Sequence, residues 1–252
     1  MDGMINSTPP ENAALTILGA GYVGHALLRR FPAAAATRRQ KMPPALAFDL
    51  RDPASWNNPP LANRMVVWTF PAEPPALVQA FSAARLQDAA GLIVLGSTSA
   101  YRTPDAADSP AVTVTEASPL DLNQPRVQGE EWLRERGATV LQLAGIFGPG
   151  RDPAGWLRKG LIKDGAKLVN LIHVDDIVAV IAELLAHPRP GERINVADGQ
   201  PVSWRELAAR FRHDGRIPLD FTLPESRPGE CGKRVDTGRL RRILPGHRFL
   251  HP

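Results

Sequence analysis

Leu15-Thr16-Ile17-Leu18-Gly19-Ala20-Gly21-Tyr22-Val23-Gly24 is the stretch that decides the fold. A short apolar run reads as a strand, G-x-G-x-x-G follows it directly, and Val23, Leu27 and Phe31 continue at helical spacing. At such a strand-to-helix turn each glycine has its own task. Gly19 allows the tight turn, Gly21 leaves the backbone bare for a pyrophosphate, and Gly24 lets helix and strand approach closely. The helix start, with the N–H groups of Tyr22 and Val23, then turns a positive dipole end toward the phosphates. A tight turn without a ligand is the competing reading; three glycines in register favour the nucleotide.

Outward from this turn, short runs rich in β-branched residues alternate with helical patterns, the signature of βαβ units and a parallel sheet. The strand candidates are 14–18, 45–49, 65–69, 91–95, 139–143 and 193–196. Helical spacing runs over 75–90, 126–136 and 176–186, with Asp175 as cap of the last, and Ser203-Trp204-Arg205-Glu206 is a capping-box start. The expected fold is α/β, a Rossmann-type doubly wound parallel sheet with a small C-terminal substrate lobe. Its expected division is a flexible leader over 1–12, a dinucleotide-binding domain over 13–147 and 173–199, and the lobe over 148–172 and 200–252.

The chain has 252 residues, 43% hydrophobic and 22% charged, enough for a substantial core. Its one cysteine, Cys231, excludes an internal disulfide or a multi-cysteine metal site and fits a reducing compartment, so the cytoplasm is the expected location. No apolar run reaches membrane-spanning length, and no metal site is expected. The basic excess lies entirely beyond Phe211, where nine Lys and Arg face five Asp and Glu. That tail suits either an anionic small molecule or plain solvation, and it matches no nucleic-acid motif.

Folds that prefer NAD usually carry an acid about 20 residues beyond the glycines, bonded to the ribose 2′-hydroxyl. Here the region reads Ala36-Thr37-Arg38-Arg39. Without a carboxylate, and with two guanidiniums able to grip a 2′-phosphate, Arg38 and Arg39 favour NADP over NAD; a solvated arginine pair is the alternative. Asp49 either accepts a hydrogen bond from the adenine amino group or caps a turn.

Further segments join the glycine fingerprint: Gly96-Ser97-Thr98-Ser99-Ala100-Tyr101, Gly145-Ile146-Phe147-Gly148-Pro149-Gly150-Arg151, Ile172-His173-Val174-Asp175-Asp176 and Ile194-Asn195-Val196-Ala197-Asp198-Gly199. In this order the chain resembles the atypical and extended short-chain dehydrogenase/reductases, the superfamily of NAD-dependent epimerases and dehydratases. The resemblance implies a catalytic role for Ser97 and a substrate-contacting one for Tyr101, at the carboxyl edge of the sheet. It also places Gly145 to Arg151 beside the nicotinamide and at the start of the substrate lobe, with Arg151 as an anion contact. Each has a plainer alternative, a turn residue for Ser97 and a Gly-Pro loop for Arg151.

One family feature is missing. The oxidoreductases use Tyr-x-x-x-Lys for proton transfer, but the two tyrosines here, Tyr22 and Tyr101, are followed four residues later by Ala26 and Asp105. Aligning Glu116-Ala117-Ser118-Pro119 with the corresponding family segment puts Val127 and Glu131 at the two positions, and a one-residue shift gives Arg126 and Glu130 or Gln128 and Trp132. Tyr101 is the leading substitute. His173 can face the site or be structural, while His25, His187 and His213 show no partner in sequence. His247 and His251 have i, i+4 spacing without a third metal ligand. The expected function is an NAD(P)(H)-dependent oxidoreductase or epimerase-like enzyme acting on a small carbonyl or sugar-type substrate, either anionic or neutral, as monomer or homodimer. The alternative is a catalytically silent NADP-binding sensor or partner subunit.

Overall fold

The apolar run ahead of Gly19 forms β1 (Leu15–Leu18), with every residue buried. A strand covered on both faces does not alternate apolar and polar side chains, so such strands read as unbroken apolar runs. The computed structural model describes residues 14–40, 42–102, 111–224 and 232–252. Six more strands join β1: β2 (Ala35–Arg38), β3 (Leu46–Ala47), β4 (Met65–Trp68), β5 (Gly91–Ser97), β6 (Thr139–Leu143) and β7 (Arg193–Val196). They form one sheet in the order β7-β6-β5-β4-β1-β2-β3. The β1–β2, β1–β4, β2–β3 and β4–β5 pairs are parallel. The chain moves outward from β1 through β2 and β3, then returns to β4 on the other side of β1. That reversal opens a crevice beyond the carboxyl ends of β1 and β4, as in a Rossmann-type doubly wound sheet.

Four helices accompany the strands: α1 (Tyr22–Arg30), α2 (Pro75–Arg85), α3 (Pro125–Arg134) and α4 (Val174–Ala186). Proline opens α2 and α3, where its missing N–H costs no helical bond. The expected helix over 75–90 stops at Arg85, because Leu86 and Ala89 bury themselves in the turn that leads into β5. The expected strand over 45–49 shortens to β3, since Asp49 enters a turn held by Ser55. Asp175 does not cap α4, which begins one residue earlier; the His173 ring Nδ1 takes the Asp175 N–H at 3.2 Å.

The structure divides into two compact units. The first comprises 1–100, 120–142 and 177–194; the second comprises 101–119, 143–176 and 195–252, so it takes in more of the chain than the expected lobe. The 1–12 leader and Cys231 lie outside the described residues. In the first unit an aromatic cluster centres on fully buried Phe81, whose ring lies 5.1 Å from Phe48, 5.4 Å from Trp56 and 5.7 Å from Trp68. In the second unit a separate core forms around Leu157, Leu171, Trp204, Leu207 and Phe211. The helix Trp204–His213 starts with the expected capping box, Ser203 and Glu206 each bonding the other's backbone N–H. Among the described residues no helix is long and apolar enough to cross a membrane.

Phe81→Ala removes the α2 ring that joins three aromatic neighbours, Phe48 and Trp56 between β3 and β4 and Trp68 on β4. We expect a loss of about 3–5 kcal/mol, measured as a lower urea midpoint with an unchanged slope. A loss below about 1 kcal/mol would show that this cluster does not hold the first unit together.

Candidate functional site

Gly19 has φ +99°, a left-handed conformation that favours glycine, and it starts the turn into α1. A Cβ on Gly24 would stand 2.2 Å from the Gly19 carbonyl oxygen, so helix and strand are as close as a bare backbone permits. Around Gly21, by contrast, no atom lies within 4 Å of the position a Cβ would take. This exposed residue is the N-cap of α1 and has no capping side chain. The turn's own polar groups are held from below. Thr37 Oγ1 accepts the Gly19 N–H at 3.0 Å, the Thr37 carbonyl accepts the Ala20 N–H at 2.6 Å, and Thr69 Oγ1 donates to the Gly19 carbonyl at 2.6 Å. The open helix end with its bare Gly21 therefore fits a pyrophosphate.

Arg38 folds back over this turn. Its Nε donates to the Ala20 carbonyl at 3.0 Å, and its Nη2 lies 3.2 Å from His25 Nε2. His25 Nδ1 in turn meets the Gly21 carbonyl at 2.8 Å. The histidine without a partner in sequence thus ties the arginine to α1. Arg39 is exposed. Asp49 behaves as a turn residue, with Oδ1 accepting the Arg51 N–H at 2.9 Å. This is the turn arrangement, with one of the two carboxylate oxygens engaged. Tyr22 and Val23 begin α1 as expected, Val23 facing the core.

Ser97 ends β5 half-buried. Its Oγ accepts the Ser99 N–H at 3.2 Å and donates to Ser99 Oγ at 3.3 Å. The first turn of α3 holds this segment: Gln124 Nε2 donates to the Ser99 carbonyl at 3.1 Å, and Arg126 Nη2 donates to Ser99 Oγ at 2.6 Å. Of the three candidate pairs on α3, one is turned toward β5. Val127 is wholly buried and Glu131 pairs with Arg134 and Arg193, so Arg126 and Glu130, one residue earlier, are the pair that faces β5. Gly129 fixes that register: a Cβ there would lie 1.9 Å from the Ala72 carbonyl oxygen, so no other residue lets α3 come this close.

Glu130 is 1% exposed. Its Oε2 accepts from Gln142 Nε2 at 3.1 Å, and its Oε1 lies 4.0 Å from Arg126 Nε without a hydrogen bond. Gln142 Oε1 is likewise buried and unbonded. Burial raises the Glu130 pKa from 4.5 to about 6, against the lowering effects of Gln142 and Arg126.

The second unit holds the remaining expected residues. Tyr101 is 3% exposed and its hydroxyl donates to Asn195 Oδ1. In this arrangement the phenol proton points at a buried side chain. Arg151 is exposed in a loop closed by paired backbone bonds with Gly148. His173 packs edge-on against Phe147 at 5.0 Å, in the structural arrangement. His247 meets Asp176 at 2.7 Å and His251 meets Asp198 at 3.0 Å, so the i, i+4 pair diverges to two carboxylates. No group of three or more metal-ligating side chains gathers among the described residues.

No protein-family model matches the chain. It is 34% identical over 148 residues to protein YeeZ of Escherichia coli K12, covering 56% of this chain and 53% of that protein. It is 31% identical over 147 residues to 2′-dehydrokanamycin reductase of Streptomyces kanamyceticus, covering 50% and 41%. The aligned part thus spans about half the length of the curated relatives or less. Among solved structures it resembles a functionally unknown conserved protein from Silicibacter pomeroyi, with TM-score 0.72, 26% identity and coverage of 96% and 95%. It also resembles MoeE5 in complex with UDP-glucose and NAD, with TM-score 0.73, 18% identity and coverage of 95% and 94%. RMD from Pseudomonas aeruginosa complexed with NADPH matches at TM-score 0.65, 18% identity and 92% of both chains. The resemblance to the short-chain dehydrogenase/reductases and the epimerase/dehydratase group therefore holds in fold.

The Glu130 environment has a measurable consequence. Its folded pKa of about 6 lies above the ordinary 4.5, so between these values the folded state keeps a proton that the unfolded chain releases. Stability is then full below pH 4.5 and falls as pH rises to 6, by about 2 kcal/mol in all. Urea midpoints of Glu130→Gln should lack this decline, leaving the variant closer to wild type at pH 4.5 than at pH 7.5. Parallel pH profiles of the two proteins would refute it.

Proposed function

We propose that this chain binds NADP and acts as an oxidoreductase or epimerase-like enzyme on a small, anionic carbonyl or sugar-type compound. One observation carries the reading: a bare helix N-terminus at Gly21 adjoins a guanidinium, Arg38, already anchored on the same turn. The cofactor's pyrophosphate would rest on the Gly19 to Gly24 turn. Arg38 and the exposed Arg39 would hold the ribose 2′-phosphate, a charge that a carboxylate at this place would repel. Relatives and neighbours in complex with NAD or NADPH, or named as a reductase, support a nicotinamide nucleotide.

When bound, the nicotinamide supplies or accepts a hydride. The protein's part is to position the substrate oxygen and stabilise the charge that develops there. Ser97 is the donor at the end of β5, with its hydroxyl partnered by Ser99. That bond, at 3.3 Å, is long, so the hydroxyl proton would turn from Ser99 to the substrate oxygen as charge develops there.

Fluorescence titration tests the binding step. Wild type should prefer NADPH over NADH, and Arg38→Ala with Arg39→Ala should weaken NADPH by about 10- to 100-fold, the loss of one or two charge-assisted bonds, while leaving NADH nearly unchanged. Binding of neither nucleotide would overturn the proposal. The catalytic step is tested by loss of NADPH absorbance over a panel of carbonyl compounds, with Ser97→Ala expected to lower kcat more than it raises KM. NADPH binding without turnover of any compound would favour the silent sensor, which the absent Tyr-x-x-x-Lys pair and the Tyr101 phenol directed at Asn195 also favour.

A further inference from the structure

In the polar cluster behind Ser97, Arg126 and Glu130 stand 4.0 Å apart without a hydrogen bond between them. Arg126 is 22% exposed, and its one hydrogen bond among the described residues is from Nη2 to the Ser99 hydroxyl. Its Nε and Nη1 therefore remain available. Its counter-charge, Glu130, stands 4.0 Å away in a place where burial favours the neutral acid. The surroundings leave little freedom. A Cβ on Gly96 would lie 2.6 Å from Glu130 Oε2 and 2.8 Å from Gln142 Oε1, so the two side chains fill the space that this glycine leaves open beneath Ser97. Glu130 Oε1 and Gln142 Oε1 are two buried acceptors without a donor, a deficit that a proton on Glu130 would relieve.

We propose that Arg126, with the hydroxyl of Ser99, receives the carboxylate of the substrate, and that Glu130 takes up a proton as this anion binds. The available edge of the guanidinium matches a planar carboxylate, which accepts two parallel N–H bonds. A single guanidinium also fits one negative charge better than the dianion of a phosphate monoester. The first turn of α3 adds the positive end of a helix dipole at Arg126.

The charged groups bearing on Glu130 are Arg126 and Glu131 of its own helix and Arg193 on β7; β5 and β6 turn uncharged Gly96 and Gln142 toward it. When a carboxylate replaces Glu130 as partner of Arg126, Glu130 loses the attraction that favours its ionised form and gains a like charge nearby. Both changes raise its proton affinity. The proton comes from solvent, so anion affinity rises as pH falls. This inference deepens the proposed function by naming the substrate as a carbonyl compound that carries a carboxylate. It rests on that reading for the reaction, while the anion site itself needs no nucleotide.

The test is calorimetric titration of the full chain with pyruvate, a monoanion across pH 5.5–7.5, in two buffers of different ionisation enthalpy. Wild type should bind about 25-fold more tightly at pH 5.5 than at pH 7.5, as expected when only the form with neutral Glu130, of pKa about 6, is competent. It should also take up a fraction of a proton per pyruvate near pH 6.5. Glu130→Gln should bind with the tighter affinity at both pH values and without proton uptake. Arg126→Gln should lose binding, and Arg126→Lys should restore part of it. If Glu130→Gln does not fold, the wild-type proton uptake decides. Absence of pyruvate binding, a flat pH dependence, or an Arg126→Gln variant that binds like wild type would each overturn the inference. NADPH titration of the same samples keeps the outcomes apart, since it fails with the proposed function and not with the anion site.

Discussion

The approach of α1 to β1, set by the absence of a side chain at Gly24, is the constraint on which the first unit depends. With 2.2 Å between a hypothetical Cβ and the Gly19 carbonyl oxygen, any other residue would push the helix off the strand. The helix would then carry its N-terminus away from the crevice where β1 and β4 part. The same closeness lets Thr37 and Thr69, from the flanking strands, satisfy the turn's backbone. Arg38 takes the Ala20 carbonyl, so the guanidinium is positioned by the turn it would serve. Gly129 does the equivalent work on the other side, bringing α3 against the Ala72 carbonyl.

That second close approach explains the polar cluster behind Ser97. With Gly129 pressed against backbone, the adjoining residue Glu130 is driven beneath β5, among Gly96 and Gln142. Burying a carboxyl there is unfavourable to its charged form, and Arg126 lies at an ion-pair distance without a hydrogen bond to it. The fold thus keeps a titratable acid behind a guanidinium at the edge where ligands bind in open α/β sheets. A packing constraint and a chemical opportunity share one pair of residues.

Much of this was legible in the sequence. The glycine turn, the strand runs at β1, β4, β6 and β7, and the capping box at Ser203 follow from local rules: hydrophobic period, glycine geometry and short-range capping. The rest is non-local. Leu86 and Ala89 end α2 early because the space before β5 buries them. The Tyr101 phenol meets Asn195, a residue 94 positions away. His25 finds Arg38 only after the chain has passed through β2.

The sequence by itself determined that a strand, a bare turn and a helix stand at the amino end, that the acid expected for NAD is replaced by arginines, and that no tyrosine precedes a lysine by four. These are properties of identity and spacing, which folding cannot change. Tertiary structure decided which face of α3 meets β5. Helical spacing allows Val127 with Glu131 as readily as Arg126 with Glu130, and one residue rotates a helix by about 100°. Only the steric limit between Gly129 and the Ala72 backbone, a contact formed when distant parts of the chain close on each other, selects the pair that faces Ser97.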